Sequence, residues 1–366
     1  MNNVGVVVIG RNEGERLVRC LNSVIDQVSE STPIVYVDSG STDNSVSFAQ
    51  SLGIHVINLD LSVPFTMARG RNTGFEYLAA TFSELEYIQF IDGDCELLAG
   101  WIETGVQQLA LNERLAVVCG RLHERFPEAS PYNRLADMEW NAAVGEVDAC
   151  GGIAMMRVSA LKEVNGYDTA LICGEEPELC IRLRQKGWTI YRVTSDMAIH
   201  DMAMTRFSQW WTRSIRGGWA VAEGVARYGQ SSERYMVREH LSGWLWGVIV
   251  PVVALSLVLE TQGASLLLLL GYPYLIWRVY QYRRTLGDLA AHARLYACFC
   301  VISKMPQAIG QFKFWLNYWQ KKPAIIIEYK APTSKPMTLE SELKRFEVNP
   351  SHQADSASQE HLSIVP

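Results

Sequence analysis

FIDGDCELLAGW, residues 90–101, sets three acids, Asp92, Asp94 and Glu96, just where an apolar run ends. The run itself, YIQFI over residues 87–91, reads as a buried strand, so the acids stand at a strand's carboxyl end. Like charges at such a point repel one another and cost desolvation unless a cation compensates them. In an extended segment side chains alternate with period two, which sends Asp92 and Asp94 to the same side. A hard divalent cation, Mn2+ or Mg2+, accepts carboxylate oxygens and could bridge them to a nucleotide diphosphate. The competing reading is a turn whose acids cap a helix beginning near Leu97.

Outward from that strand, residues 4–9 (VGVVVI), 33–37 (PIVYV) and 55–59 (HVINL) predict three more strands. Helical patterns over 15–27, 43–52 and 68–81 separate them, the first with Leu17, Leu21, Val24 and Ile25 on one face. Near-continuous apolar strands alternating with helices predict an α/β fold, a doubly wound, mostly parallel, Rossmann-like sheet. Ligands bind such sheets beyond the carboxyl ends of the strands. RNEGE (11–15, with Arg11 and Glu13), DSGSTD (38–43) and DGDCE (92–96) all lie at such ends.

Composition narrows the classes further. The chain has 366 residues, 48% of them hydrophobic, enough for one large globular domain and an additional region. A net charge of −6 argues against nucleic acid as a partner. Eight cysteines without a CxxC pair read as reduced thiols of a cytosolic compartment. The start, MNNVGVVVIGRNEGERL, reads as a first strand and not as a signal peptide, so the catalytic part is expected not to be exported.

Three further stretches carry chemistry. In DSGSTDNS (38–45), Asp38 could accept a hydrogen bond from a nucleobase imide, or the stretch is a turn capped by Thr42 or Asp43. In FTMARGRNTGF (65–75), the guanidinium forks of Arg69 and Arg71 suit a diphosphate, or they form a solvated helix face. In residues 145–188, Gly151 and Gly152 let backbone approach a ligand, or only pack tightly. Glu175-Glu176-Pro177 precedes a helix over 178–186 that Gly187 ends, with Pro177 expected at its first position and Glu176 as its cap. His200 is a candidate third metal ligand or a structural histidine.

Taken together, VDSGSTDNS, ARGRNTG, FIDGDCE, CGGIAMMR and CGEEPELCIRLRQKGW resemble the family 2 glycosyltransferases, the inverting group with the GT-A fold, over residues 4–215. The resemblance implies a nucleotide-diphosphate sugar as donor, UDP-linked by expectation, a divalent cation (Mn2+ or Mg2+) and a hydroxyl acceptor. It assigns Asp38 to the nucleobase, Arg71 to the donor, Asp92 to ribose and metal, and Asp94 with His200 to the metal. Arg11, Glu13, Arg69, Gly151 and Gly152 complete the expected donor site. The catalytic base falls on Glu176, with Glu175 as the alternative; the family usually carries aspartate at the second position, and here it is glutamate. RFSQWWTRSIRGGWAVAEG (206–224) and AIIIEYK (324–330) look like bacterial members that build polysaccharide or glycolipid, which implies a saccharide or lipid-linked acceptor. A dinucleotide oxidoreductase would need GxGxxG after the first strand, which is absent. IGRNEGERL also lacks the Gly-rich basic loop of a sugar nucleotidyltransferase. A non-catalytic membrane scaffold of the same fold is the remaining alternative.

Beyond residue 230 the character changes. LSGWLWGVIVPVVALSLVL (241–259) holds no charge over 19 residues and is long enough to span a bilayer. ASLLLLLGYPYLIW (264–277) spans only if Arg278 snorkels. Arg234 and Arg238 before the pair, and Arg283 and Arg284 after it, put both ends in the cytosol by the positive-inside rule. A hairpin resting on the membrane is the alternative. The expected organisation is a catalytic domain over 1–230 on the cytosolic face of the cytoplasmic membrane, a membrane hairpin over 231–285, interfacial helices over 286–330 and a disordered tail over 331–366.

Overall fold

Val6, Val7 and Val8 are fully buried at the centre of β1 (Val4–Gly10), and the rest of the sheet is laid down on either side of them. The structure, a computed structural model, describes residues 3–322 and 324–329; the tail expected to be disordered, 331–366, lies outside the described residues. After β1 come α1 (Glu15–Ile25), β2 (Ile34–Asp38), α2 (Ser45–Ser51), β3 (His55–Asn58), α3 (Met67–Thr81) and β4 (Tyr87–Asp92). The next stretch holds β5 (Cys95–Leu97), α4 (Trp101–Leu111), β6 (Leu115–Glu124), α5 (Pro131–Trp140), β7 (Gly145–Glu146) and β8 (Ala154–Arg157). The short α6 (Val158–Glu163), α7 (Glu175–Gln185) and β9 (Thr189–His200) close the sheet.

The strands run in the order β3-β2-β1-β4-β8-β6-β9-β5, with β7 on β9. The first four pair in parallel, as the alternating pattern requires. The second half is mixed: β8 is antiparallel to both β4 and β6, β6 and β9 are parallel, and β5 and β7 run antiparallel to β9. The carboxyl ends of β1, β2 and β4 share one edge, because Gly10 lies beside Asp38 and Ile9 beside Asp92 in register.

The motif ARGRNTG reads physically as the packing face of α3. Gly74 sits so close to β1 that a Cβ there would fall 2.5 Å from Val7 Cγ1. Asn72 clamps residue 167 on both sides, donating to Tyr167 O at 2.7 Å and accepting from Tyr167 N at 2.8 Å. Thr66 caps the helix by accepting from Arg69 N at 3.1 Å. Arg71, from the same face, is thereby driven into the interior.

The chain then leaves the sheet through α8 (Phe207–Tyr228), α9 (Val237–Trp244), a π-helical turn Leu245–Ile249 and α10 (Val250–Ser256). A 3-10 stretch Ala264–Leu270 leads into α11 (Gly271–Thr285), α12 (Ala290–Ile302) and α13 (Lys304–Trp319). α8 and α13 cross almost backbone to backbone: a Cβ on Gly218 would meet Gln307 O at 2.0 Å, and one on Gly310 would meet Ile215 O at 2.0 Å. The catalytic part and the C-terminal helices therefore belong to one compact unit, with no packing boundary at residue 230.

Among the described residues one helix, Val237–Ser256, is long and apolar enough to cross a membrane, and only 17% of its apolar window is buried. The second apolar stretch does fold back on the first, with Ser265 Oγ donating to Ala254 O at 2.7 Å and Tyr272 OH to Trp246 O at 2.5 Å. It is not one continuous α-helix, however, because the chain changes from a 3-10 stretch to α11 at Gly271. The two spans expected for 241–280 thus reduce to one candidate span and a bent partner.

Candidate functional site

Arg71 is the fixed point of the site. Its side chain is 1% exposed, and it gathers three carboxylates from separate elements: Asp92 Oδ1 at 2.8 Å from the end of β4, with Glu175 Oε1 at 3.1 Å and Glu176 Oε1 at 2.9 Å from the start of α7. Tyr167, held by Asn72, covers the guanidinium at 5.6 Å. One cation facing three anions leaves the group short of positive charge. Gly152 closes it from the side, where a Cβ would lie 2.5 Å from Arg71 Nη2, 2.9 Å from Asp92 Oδ2 and 3.2 Å from Glu176 Oε1. Around Gly151 there is open space. A side chain at 152 would have to displace head groups that the ion pairs hold in place, so glycine is favoured there on steric grounds.

The start of α7 differs from expectation. Gly174, in a left-handed conformation with φ +76°, is the cap; Glu175 and Glu176 are the first two helical residues and Pro177 the third. The helix N-terminus still favours carboxylates there. Burial outweighs that help at Glu176, which is pushed up to about 7 by desolvation and by Glu175, against the pull of Arg71. Its side chain keeps 14% exposure toward the cavity, whereas that of Glu175 keeps 2%. Of the two acids, Glu176 is the one more open to the cavity.

Behind Asp92, Asp94 turns the other way. Its Oδ2 lies 3.1 Å from His200 Nε2, at the end of β9, and its Oδ1 accepts from Cys95 Sγ at 3.4 Å. The ligand atoms of Asp94, Cys95 and His200 lie within 4.8 Å of one another. Two of the three expected metal ligands therefore come together, while Asp92, the third, is drawn to Arg71. Trp140 packs on the His200 ring at 4.9 Å. Glu124, opposite His200 across β6 and β9, accepts from Met202 N, Phe126 N and Asn133 Nδ2 and so fixes the chain just after His200. Burial pushes Glu124 up to about 7.

A cavity of about 540 Å³ opens beside these groups, lined by Arg71, Asp92, Gly151, Gly152, Glu175, Glu176 and His200. Its far wall comes from α8, with Trp210, Arg213 and Arg216, from α12 with Tyr296 and Phe299, and from Tyr329 near the end of the described chain. Arg213 pairs with Glu139 at 2.7 Å, and Arg216 lies 5.9 Å from the Tyr329 ring. Sequence reasoning missed this wall. The signal was present as a three-residue spacing of large side chains at 210, 213 and 216.

Arg11, Glu13, Asp38 and Arg69 do not line the cavity. Asp38 is 2% exposed, and Tyr36 OH, Ser41 Oγ, Gly40 N and Ser41 N all donate to it. Four donors fill a carboxylate's acceptor capacity, so Asp38 shapes its own turn. Arg69 donates to the carbonyls of Asp60 and Val63, both at 2.8 Å, and pins the loop before α3. Glu13 pairs with Arg16 at 2.8 Å. Arg11 pairs with Glu328 at 2.8 Å and lies over Phe65 at 4.3 Å, tying the segment 324–329 to the end of β1.

Comparison with known proteins bears on this geometry. Residues 5–164 match the family described as glycosyl transferase family 2, and residues 138–206 match one described as the N-terminal domain of galactosyltransferase. The chain is 23% identical over 197 residues to the glycosyltransferase AglE of Haloferax volcanii, covering 51% of this chain and 63% of that protein. It is 25% identical over 239 residues to the pre-mycofactocin glycosyltransferase of Mycobacterium tuberculosis, covering 62% and 48%. The chain thus spans about half the length of the curated relatives it matches. Among solved structures, the mannosyltransferase PcManGT from Pyrobaculum calidifontis, in complex with GDP-Man and Mn2+, superposes with a TM-score of 0.58 at 15% identity over 85% of this chain and 87% of that one. That likeness establishes the GT-A fold.

Proposed function

We propose that this chain, whose residues 5–164 match glycosyl transferase family 2, moves a sugar from a nucleotide diphosphate to an acceptor hydroxyl with inversion at the anomeric carbon. The observation that carries the reading is the buried Arg71, which holds Asp92 beside Glu175 and Glu176 at the edge of one cavity. Glu176 is the base. Partly open to the cavity and shifted to about 7, it accepts the acceptor's proton as the hydroxyl attacks. Glu175 and Arg71 position it, and Gly152 keeps the wall thin enough for a substrate to reach it.

The donor set at Asp94 and His200, a carboxylate oxygen and an imidazole nitrogen about 3 Å apart, fits Mn2+ or Mg2+. A divalent cation held there would supply positive charge for the departing diphosphate. The PcManGT complex, with GDP-Man and Mn2+ bound to the same fold, supports a nucleotide-sugar donor and a divalent metal for this chain too. The wall of α8, α12 and Tyr329 takes the acceptor, a saccharide or a lipid-linked one.

The C-terminal helices attach the enzyme to the cytosolic face of a membrane. Met305, Ile309, Phe312, Leu316 and Trp319 repeat at helical spacing on α13 and are each 39–72% exposed, while Pro306, Ala308, Gly310 and Phe314 on the same helix are buried. An apolar outer face of this kind suits the lipid interface. The reading is tested by incubating the purified chain with nucleotide sugars and Mn2+ and following release of free sugar by proton NMR. An α-linked donor is expected to give the β anomer first. Initial release of the α anomer would rule out single displacement.

A further inference from the structure

Two buried thiols outside the proposed mechanism sit beside its machinery. Cys150 Sγ and Cys180 Sγ lie 3.7 Å apart, in hydrogen-bond contact. Cys150 immediately precedes Gly151 and Gly152, the glycine wall of the cavity, and Cys180 lies in α7, whose first residues are Glu175 and Glu176. The pair therefore joins, through two short covalent paths, the two elements whose spacing sets the acid group around Arg71. Both thiols feel the charge of Glu176, so they stand close enough to the acid group for a change at the pair to be felt there.

We propose that Cys150 and Cys180 are a modification site: a reversible disulfide, formed with a hydroperoxide as oxidant, that clamps the glycine wall to α7 and shuts down the cavity. The hydrogen bond from the Cys150 thiol lowers the pKa of Cys180 and raises that of Cys150, which makes Cys180 the attacking sulfur. The Cys180 thiolate attacks one peroxide oxygen; an S–O bond forms, the O–O bond breaks, and the leaving hydroxide takes up the proton released from the thiol to give water. The Cys150 sulfur then attacks the resulting sulfenic acid; the S–S bond forms, the S–O bond breaks, and a second water leaves. Two thiols are oxidised by two electrons and one peroxide is reduced to two waters.

The consequence is geometric. A disulfide needs its sulfurs about 2.05 Å apart, so they must close by roughly 1.7 Å. Gly152 is two residues from Cys150, and a Cβ added there would fall 2.5 Å from Arg71 Nη2 and 2.9 Å from Asp92 Oδ2, so little room separates it from the acid group. Movement of the wall is transmitted to the base. Cys150 keeps 8% exposure, and the loop before it is open to solvent at Val144, Glu146 and Asp148, which is the route we assign to the oxidant. The cross-link itself does not depend on the glycosyltransferase reading.

The full chain is treated with hydrogen peroxide, its free thiols are alkylated after denaturation, and its peptides are mapped without reductant. The expected result is a Cys150–Cys180 cross-link that dithiothreitol removes and that Cys150→Ala and Cys180→Ala each abolish. Metal-dependent hydrolysis of the nucleotide sugar should fall about 10²-fold on oxidation and recover on reduction, the scale expected for a misplacement of this size. Both alanine variants, if folded, should keep their activity in peroxide. Alkylation of both thiols in a sample whose exposed Cys298 has been oxidised overturns the proposal, and this reading needs no variant. A cross-link that leaves hydrolysis unchanged overturns the clamp. Absence of hydrolysis in the reduced protein counts against the proposed transferase activity and leaves the cross-link to be judged by mapping alone.

Discussion

Arg71 Nη1 lies 2.9 Å from Glu176 Oε1, and this one contact ties the helix that carries the motif ARGRNTG to the helix that carries the proposed base. The same nitrogen reaches Glu175, and its sister nitrogen reaches Asp92. Residues 71, 92, 175 and 176 thus form a single electrostatic object. Removing any one member changes the charge felt by the others.

Arg71→Met should destabilise the fold by about 3–5 kcal/mol, because three buried or half-buried carboxylates lose the cation they pair with. The loss should shrink in acid, as the carboxylates become neutral. Urea unfolding of both proteins at pH 7.5 and pH 4.5 checks this; an equal difference at the two values would mean that lost packing, and not charge, dominates.

Glu176→Gln should cut hydrolysis about 10²-fold while leaving nucleotide affinity nearly intact, and Glu175→Gln should cost less. In the wild type the rate should climb as pH rises through about 7, where Glu176 becomes ionised, and the variant should lose that limb. The stability sign is opposite. A carboxyl whose folded pKa is raised stabilises below its unfolded value of 4.5 and loses that contribution as pH rises through about 7. Glu176→Gln should therefore gain Tm relative to wild type between pH 5 and pH 8. Glu124 is also shifted to about 7, so Glu124→Gln serves as the control that should keep the activity limb.

Gly152→Ala and Gly151→Ala should differ sharply although they are neighbours. The first puts a Cβ 2.5 Å from Arg71 Nη2 and should abolish hydrolysis with a stability loss of about 1–3 kcal/mol. The second meets nothing within 4 Å and should be nearly silent. Comparable losses in both would place the constraint in the backbone instead.

The parallel half of the sheet was legible because β1, β2 and β4 are nearly continuous apolar runs and α1 carries one apolar face. The mixed half was not, since β5, β7 and β8 are 2–4 residues long and their direction is set by long-range pairing. The acids and Arg71 were legible as members of a site, but their division of labour was not. The resemblance assigned Arg71 to the donor and Asp92 to ribose and metal; the fold adds that these two side chains pair with each other. Asp38 illustrates the same limit, for nothing in DSGSTD announces that its own turn supplies three donors to it and Tyr36 of β2 a fourth. The helix start at Glu175 was misjudged because Pro177 also fits the third position when a left-handed glycine opens the helix.

Phe312→Ser with Trp319→Ser, both exposed on α13, should weaken flotation with vesicles containing anionic lipid while leaving hydrolysis in detergent unchanged. Undiminished flotation would shift membrane attachment to Val237–Ser256 alone.

Calorimetric titration of UDP and GDP into the full-length protein, with Mn2+ and then with chelator, addresses the account most directly. One of the two nucleotides should bind with Mn2+ present, the affinity should fall on chelation, and Asp94→Asn, with the fold intact by circular dichroism, should reproduce that fall without chelator. No binding by either nucleotide, or an affinity indifferent to both the metal and Asp94, would contradict it.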